Sequence, residues 1–113
     1  DLEKTFIDCL FKPNYAGGIV EVARAIYASR DNIKYDTLLE YTKKFDSQAV
    51  IKRLGFILEI LEIHNNIIGE LQQMKTDSFV VLDTELPNTG KRISSWSIQQ
   101  NIETETIKSA IYT

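Results

Sequence analysis

Apolar residues recur along most of the chain at the spacing of a buried helical stripe. Leu2, Phe6, Cys9 and Leu10 place one such stripe ahead of Pro13, whose ring disfavours helix in the residue before it. Pro13-Asn14-Tyr15-Ala16-Gly17-Gly18 reads as a loop. A second stripe runs through Ile19, Val22, Ala23 and Ile26, with Glu21 in its first turn, and Ser29 to Asn32 end it. Tyr35, Leu38, Leu39, Thr42 and Phe45 make a third face, with Lys43 and Lys44 in the last turn. The fourth is the clearest: Asp46 or Ser47 caps it, and Val50, Leu54, Ile57, Leu58 and Leu61 hold the stripe. His64-Asn65-Asn66 interrupts the pattern, and Ile67, Ile68, Leu71 and Met74 resume it as a fifth helix capped by Asn65 or Asn66.

Beyond Met74 the pattern changes. Phe79-Val80-Val81-Leu82 is short, continuous and β-branched, which suits a buried strand, and Asp83 to Arg92 carries turn chemistry. Ile93 to Gln100 alternates and reads as a second strand pairing with the first, and Thr104 to Thr113 carries Ile107, Ala110 and Ile111 at the spacing of a short terminal helix. The expected fold is mainly α (α+β): a bundle of about five helices with a small two-stranded β element near the C-terminus. It forms one domain, 1–113, helical over 1–75 and β-containing over 76–113. Its expected core is Phe6, Leu10, Ile26, Leu39, Val50, Leu54, Ile57, Leu58, Leu61, Ile68 and Leu71. The chain opens at Asp1 without a methionine and runs directly into an amphipathic pattern, as a fragment of a longer protein does.

Composition narrows the function classes. With 43% apolar and 26% charged residues, the chain has the make-up of an ordinary globular domain. Thirteen Lys and Arg against sixteen Asp and Glu leave a net charge of −3, so no strong basic field holds a nucleic-acid backbone. Apolar runs fall far short of the roughly 20 residues that span a bilayer, which points to a cytoplasmic protein making no membrane contact. A single Cys9 and a single His64 supply neither an intramolecular disulfide nor a metal site by themselves, and no cofactor is expected.

Chemistry is sparse. His64 sits in an Asn-rich turn and Cys9 on an apolar helix face, so each reads as structural and the chain as no enzyme. Asp83, Glu85 and Lys91 have the residue types of a metal nuclease but the wrong final spacing. Gly17-Gly18 precedes a helix without a strand before it, so turn geometry explains it better than phosphate binding. The most basic surface expected is Lys43, Lys44, Lys52 and Arg53, around the connection between the third and fourth helices. Ten cationic and eleven anionic side chains between Asp1 and Lys75 balance it. Gly55, inside the clearest helix, marks a close crossing between helices, and Trp96 reads as a core residue before an interface anchor.

Five segments in order, EKTFIDCL, PNYAGGIVEVARAI, KRLGFILEIL, LDTELPNTG and SSWSIQQN, resemble the C-terminal region of the AbiEi family. Members of that family are predicted transcriptional regulators and antitoxins of type IV abortive-infection systems. Glu3, Thr5, Asp8, Gly17, Gly18, Arg53, Leu54, Gly55, Asp83 and Trp96 fall where the family pattern has like residues, and Lys4 replaces its usual arginine. The resemblance implies an N-terminal winged-helix DNA-binding domain outside this chain. It also implies a toxin-neutralising role for this part, the toxin being a nucleotidyltransferase-like protein encoded nearby. On that reading the contact surface is Lys43, Lys44, Lys52 and Arg53 against an acidic partner patch. The other reading is a homodimerisation or auxiliary DNA-contact domain of a stand-alone regulator.

Overall fold

The computed structural model describes residues 1–112, and it arranges six α-helices, one 3-10 turn and three short strands around one hydrophobic core. Helix α1 (Leu2–Phe11) starts where the Asp1 carboxylate accepts from the Lys4 N–H at 2.8 Å. The 3-10 turn Pro13–Ala16 follows, and Gly17 and Gly18, both at positive φ, lead into α2 (Ile19–Ala28). Helix α3 (Tyr35–Phe45) ends on Asp46 in the left-handed region, and Ser47 opens α4 (Gln48–Ile60) by accepting from the Val50 N–H. Of the two caps expected for α4, Ser47 is the one used. Helix α5 (Ile67–Met74) begins at Asn66, but the capping bond comes from Asn65, whose side-chain oxygen accepts from the Ile67 N–H.

The β element has three strands rather than two. Strand β1 (Val80–Val81) pairs in parallel with β3 (Ile98–Gln100), which pairs antiparallel with β2 (Lys91–Ile93), giving the order β1-β3-β2. The expected strand Ile93–Gln100 is thus divided by a reverse turn over Ser94–Ser97, closed by Ser97 N–H donating to the Ser94 carbonyl. Alternating serines with Trp96 and Ile98 imitate a strand, yet serine is equally a turn former, and Ser97 adopts φ 54°. The turn swings Trp96 into full burial. Helix α6 (Thr104–Ile111) docks on α2 and buries Ile107, contact that a helix so short needs to persist.

Most of the expected core is inside, with two helices rotated by one residue. Leu38 and Ile67 are fully buried while Leu39 and Ile68 are only half-buried. On α1 the inward face is Glu3, Phe6, Ile7 and Leu10, leaving Leu2 exposed and Cys9 half-buried. With that face inward, the Glu3 carboxylate accepts the Lys34 N–H at the entrance to α3.

Candidate functional site

Helix α4 runs through the middle of the molecule, and its Lys52-Arg53-Leu54-Gly55 segment is buried. The Arg53 guanidinium donates to the carbonyls of Leu10 and Phe11, at the C-terminal end of α1, and to the Val81 carbonyl of β1. It thereby satisfies helix-end carbonyls that have no partner within their own helix. Burial lowers its pKa to about 10, against the opposing pull of the Asp83 charge. Lys52 donates to Thr76 Oγ1 and to the carbonyl and hydroxyl of Ser78, and burial, helped by the neighbouring Lys75, pulls its pKa down. At 0% and 3% exposure, Lys52 and Arg53 form no surface with Lys43 and Lys44. The expected four-residue basic contact surface is therefore corrected: half of it is interior. Lys43 and Lys44 do reach solvent, each beside a glutamate, Glu70 and Glu40 respectively.

The other motif residues lie at junctions of the same interior. Asp83 accepts from the Ile19 N–H at the start of α2 and, through its other oxygen, from the Glu85 N–H. A Cβ on Gly18 would stand 3.3 Å from that carboxylate, so the glycine leaves room for it. The Asn101 side chain continues the sheet as a backbone surrogate, accepting from the Asp83 N–H and donating to the Asp83 carbonyl. Gly55 faces the Trp96 ring: a Cβ there would lie 2.1 Å from it, so the close approach is made by an indole rather than by another helix. Among the described residues, nothing accepts a hydrogen bond from the buried Trp96 N–H. Thr5 caps back onto the Asp1 carbonyl, Gly17 is a turn residue, and Asp8 sits half-buried on α1. Among the described residues, no group of three or more His, Cys, Asp or Glu is placed to hold a metal ion. Burial, with the Asp8 charge, pushes the Cys9 thiol above its ordinary value and away from the reactive thiolate.

Among the described residues, two surface depressions stand out. A cleft of about 470 Å³ is lined by Tyr27, Arg30, Tyr35, Glu62, His64 and Tyr112 among others. Arg30 fills part of its own surroundings, stacked 3.9 Å over the Tyr27 ring and donating to the Tyr27 carbonyl. The second is an apolar groove of about 380 Å³ between α1 and α3, lined by Lys4, Ile7, Tyr41, Lys44 and Phe45. Phe45, expected inside, is 38% exposed, and Phe11, 42% exposed, meets it edge-on at 5.1 Å.

No family model, characterised protein or solved structure matches the chain. The α1–α3 groove is accordingly judged on its own chemistry. It offers Ile7, Tyr41 and Phe45 as apolar lining with Lys4 and Lys44 beside them. Pattern reading missed Lys4 and Tyr41 as groove residues. The available signal was α1 itself, where Leu2, Phe6, Ile7, Cys9, Leu10 and Phe11 supply more apolar positions than one buried stripe can absorb.

Proposed function

We propose that this domain works by binding another protein, as the C-terminal, toxin-neutralising part of an AbiEi-like transcriptional regulator. On this reading a winged helix elsewhere in the longer protein reads DNA, the domain acts in the cytoplasm without cofactor or catalysis, and its partner is a nucleotidyltransferase-like protein encoded beside it. The observation that carries the reading is the groove between α1 and α3, where Tyr41 and Phe45 stay partly exposed between Lys4 and Lys44, on a domain whose other large apolar side chains are mostly packed away. Further support comes from the motif residues Gly18, Arg53, Gly55, Asp83 and Trp96, which serve the scaffold and leave specificity to the surface. The contact surface proposed shifts accordingly from Lys52 and Arg53 to the groove, retaining Lys44.

Size-exclusion chromatography with light scattering, on the protein alone and mixed with the product of the adjacent gene, tests this. A complex of defined mass is expected. A homodimer that ignores the neighbouring product would instead favour a dimerisation module of a stand-alone regulator.

A further inference from the structure

We propose that the polar cleft between the α2–α3 turn, the α4–α5 turn and the end of α6 binds a free basic α-amino acid, of the arginine or lysine type. The inference is independent of the protein-binding reading above, and the cleft shares no lining residue with the α1–α3 groove. Its volume of about 470 Å³ falls within the range of small-molecule sites. With His64 neutral at pH 7, the charges lining it are one cation, Arg30, and two anions, Asp31 and Glu62. Arg30 adjoins Asp31 in sequence, yet among the described residues none of the three makes an ion pair. Arg30 is held instead by Tyr27, on whose ring it stacks at 3.9 Å and to whose carbonyl its Nη1 donates at 2.7 Å. The Tyr35 hydroxyl donates to the Arg30 carbonyl, also at 2.7 Å, and so pins the turn that carries it. The Arg30 Nε and Nη2 donors have no acceptor among the described residues, and the Asp31 and Glu62 carboxylates have no donor.

Glu62 is kept in the cleft at a conformational cost. Helix α4 closes with the Glu62 N–H donating to the Glu59 carbonyl and the Ile63 N–H to the Leu58 carbonyl, the Schellman pattern. That pattern puts Glu62 at φ 57°, where glycine would sit without strain. A carboxylate carried on backbone that favours glycine points to a use other than the fold.

The charges choose the ligand. One cation and two anions are complemented by a molecule with one carboxylate and two cationic groups, the charge set of arginine or lysine. Its carboxylate accepts from the free donors of the Arg30 guanidinium as a two-point contact. Its two cationic groups meet Asp31 and Glu62, and the Tyr35 and Tyr112 rings offer a cation their faces, as Tyr27 already does to Arg30. An acidic amino acid would bring a second carboxylate against Asp31 and Glu62.

Isothermal titration calorimetry with L-arginine and L-lysine tests this, beside L-glutamate, agmatine and N-acetyl-L-arginine, each of which breaks one part of the charge set. Saturable binding of arginine or lysine is expected, with the three probes weaker by about tenfold or more, the scale of one charged hydrogen bond. Arg30→Gln should weaken arginine binding to the same extent. Glu62→Gly should weaken it while raising the thermal midpoint, because the backbone strain goes with the carboxylate. Should Arg30→Gln fail to fold, Asp31→Asn at an exposed position takes its place, with the same loss expected.

Absence of saturable binding of either amino acid overturns the proposal, as does L-glutamate or agmatine binding as tightly as arginine. Affinity untouched by these variants does the same, and a lowered midpoint in Glu62→Gly returns that residue to the fold and removes it from the site. N-acetyl-L-arginine binding as tightly as arginine would assign the cleft to the C-terminal residue of a peptide and overturn a free amino acid as its ligand.

Discussion

Arg53 ties together three segments that are distant in sequence. A guanidinium presents five donors in a rigid fork, enough to serve the carbonyls of Leu10, Phe11 and Val81 from one buried point. Arg53→Met leaves those carbonyls without donors, and a loss of about 1–3 kcal/mol or more in urea unfolding is expected, the cost of leaving a buried acceptor unsatisfied. Arg53→Lys keeps the charge but not the fork, so it should restore only part of that stability; full restoration would contradict the assignment. Lys52 next to it is equally buried, and its three protons meet Thr76 and Ser78. Both residues look like surface cations in the sequence because their type is usually exposed, and only their acceptors, supplied by segments far along the chain, make burial tolerable.

At the scale of elements, the fit of Trp96 against Gly55 seats the β hairpin on α4. Helix α4 accepts a glycine that costs about 1 kcal/mol in helix propensity because Trp96 occupies the space where its side chain would be. Gly55→Ala gains that propensity and loses far more, since the ring cannot withdraw from a fully packed site. The expected net loss is about 1–3 kcal/mol, with Trp96 fluorescence shifting to longer wavelength as the hairpin loosens. An unchanged emission maximum together with unchanged stability would show that the hairpin does not rest on α4. The helical half was legible element by element, because each stripe is written locally in residues three and four apart. The hairpin was not, because nothing within Ser94–Ser97 distinguishes a turn held by a buried tryptophan from an alternating strand.

For the molecule as a whole, acid stability has an identifiable contributor. Glu3 brings the start of α1 against the entrance to α3, and the Lys34 N–H that it accepts holds its carboxyl below the usual carboxylate value. A carboxyl whose pKa is lower when folded than when unfolded favours folding fully above the unfolded value, and the benefit disappears as pH falls through the folded one. Thermal midpoints should therefore fall on acidification below about pH 4.5. Glu3→Gln should flatten part of that decline; an identical decline in the variant would remove Glu3 from the account. The charges outside tell a different story. Lys43 and Lys44 pair with Glu70 and Glu40 at the surface, where such pairs contribute little to stability and are free to take part in association.

What the sequence by itself determined is the set of helices and the mainly α class. The periodicity of Ile19 to Ile26 or Val50 to Leu61 has one consequence wherever the rest of the chain goes, a helix with one face to bury. It also marked Gly18, Gly55, Asp83 and Trp96 as structural without saying what each touches, and it read Arg53 as a surface contact. Tertiary structure decided those partners, the rotation that buries Leu38 and Ile67 in place of Leu39 and Ile68, and the removal of Lys52 and Arg53 from the surface. It also decided the groove, which belongs to neither α1 nor α3 and exists only where Lys4 and Ile7 of one meet Tyr41, Lys44 and Phe45 of the other. The physical reason is the same throughout: a helix is specified by neighbours within one or two turns, whereas a buried cation, a packed ring or a groove is specified by atoms that the chain brings together only on folding.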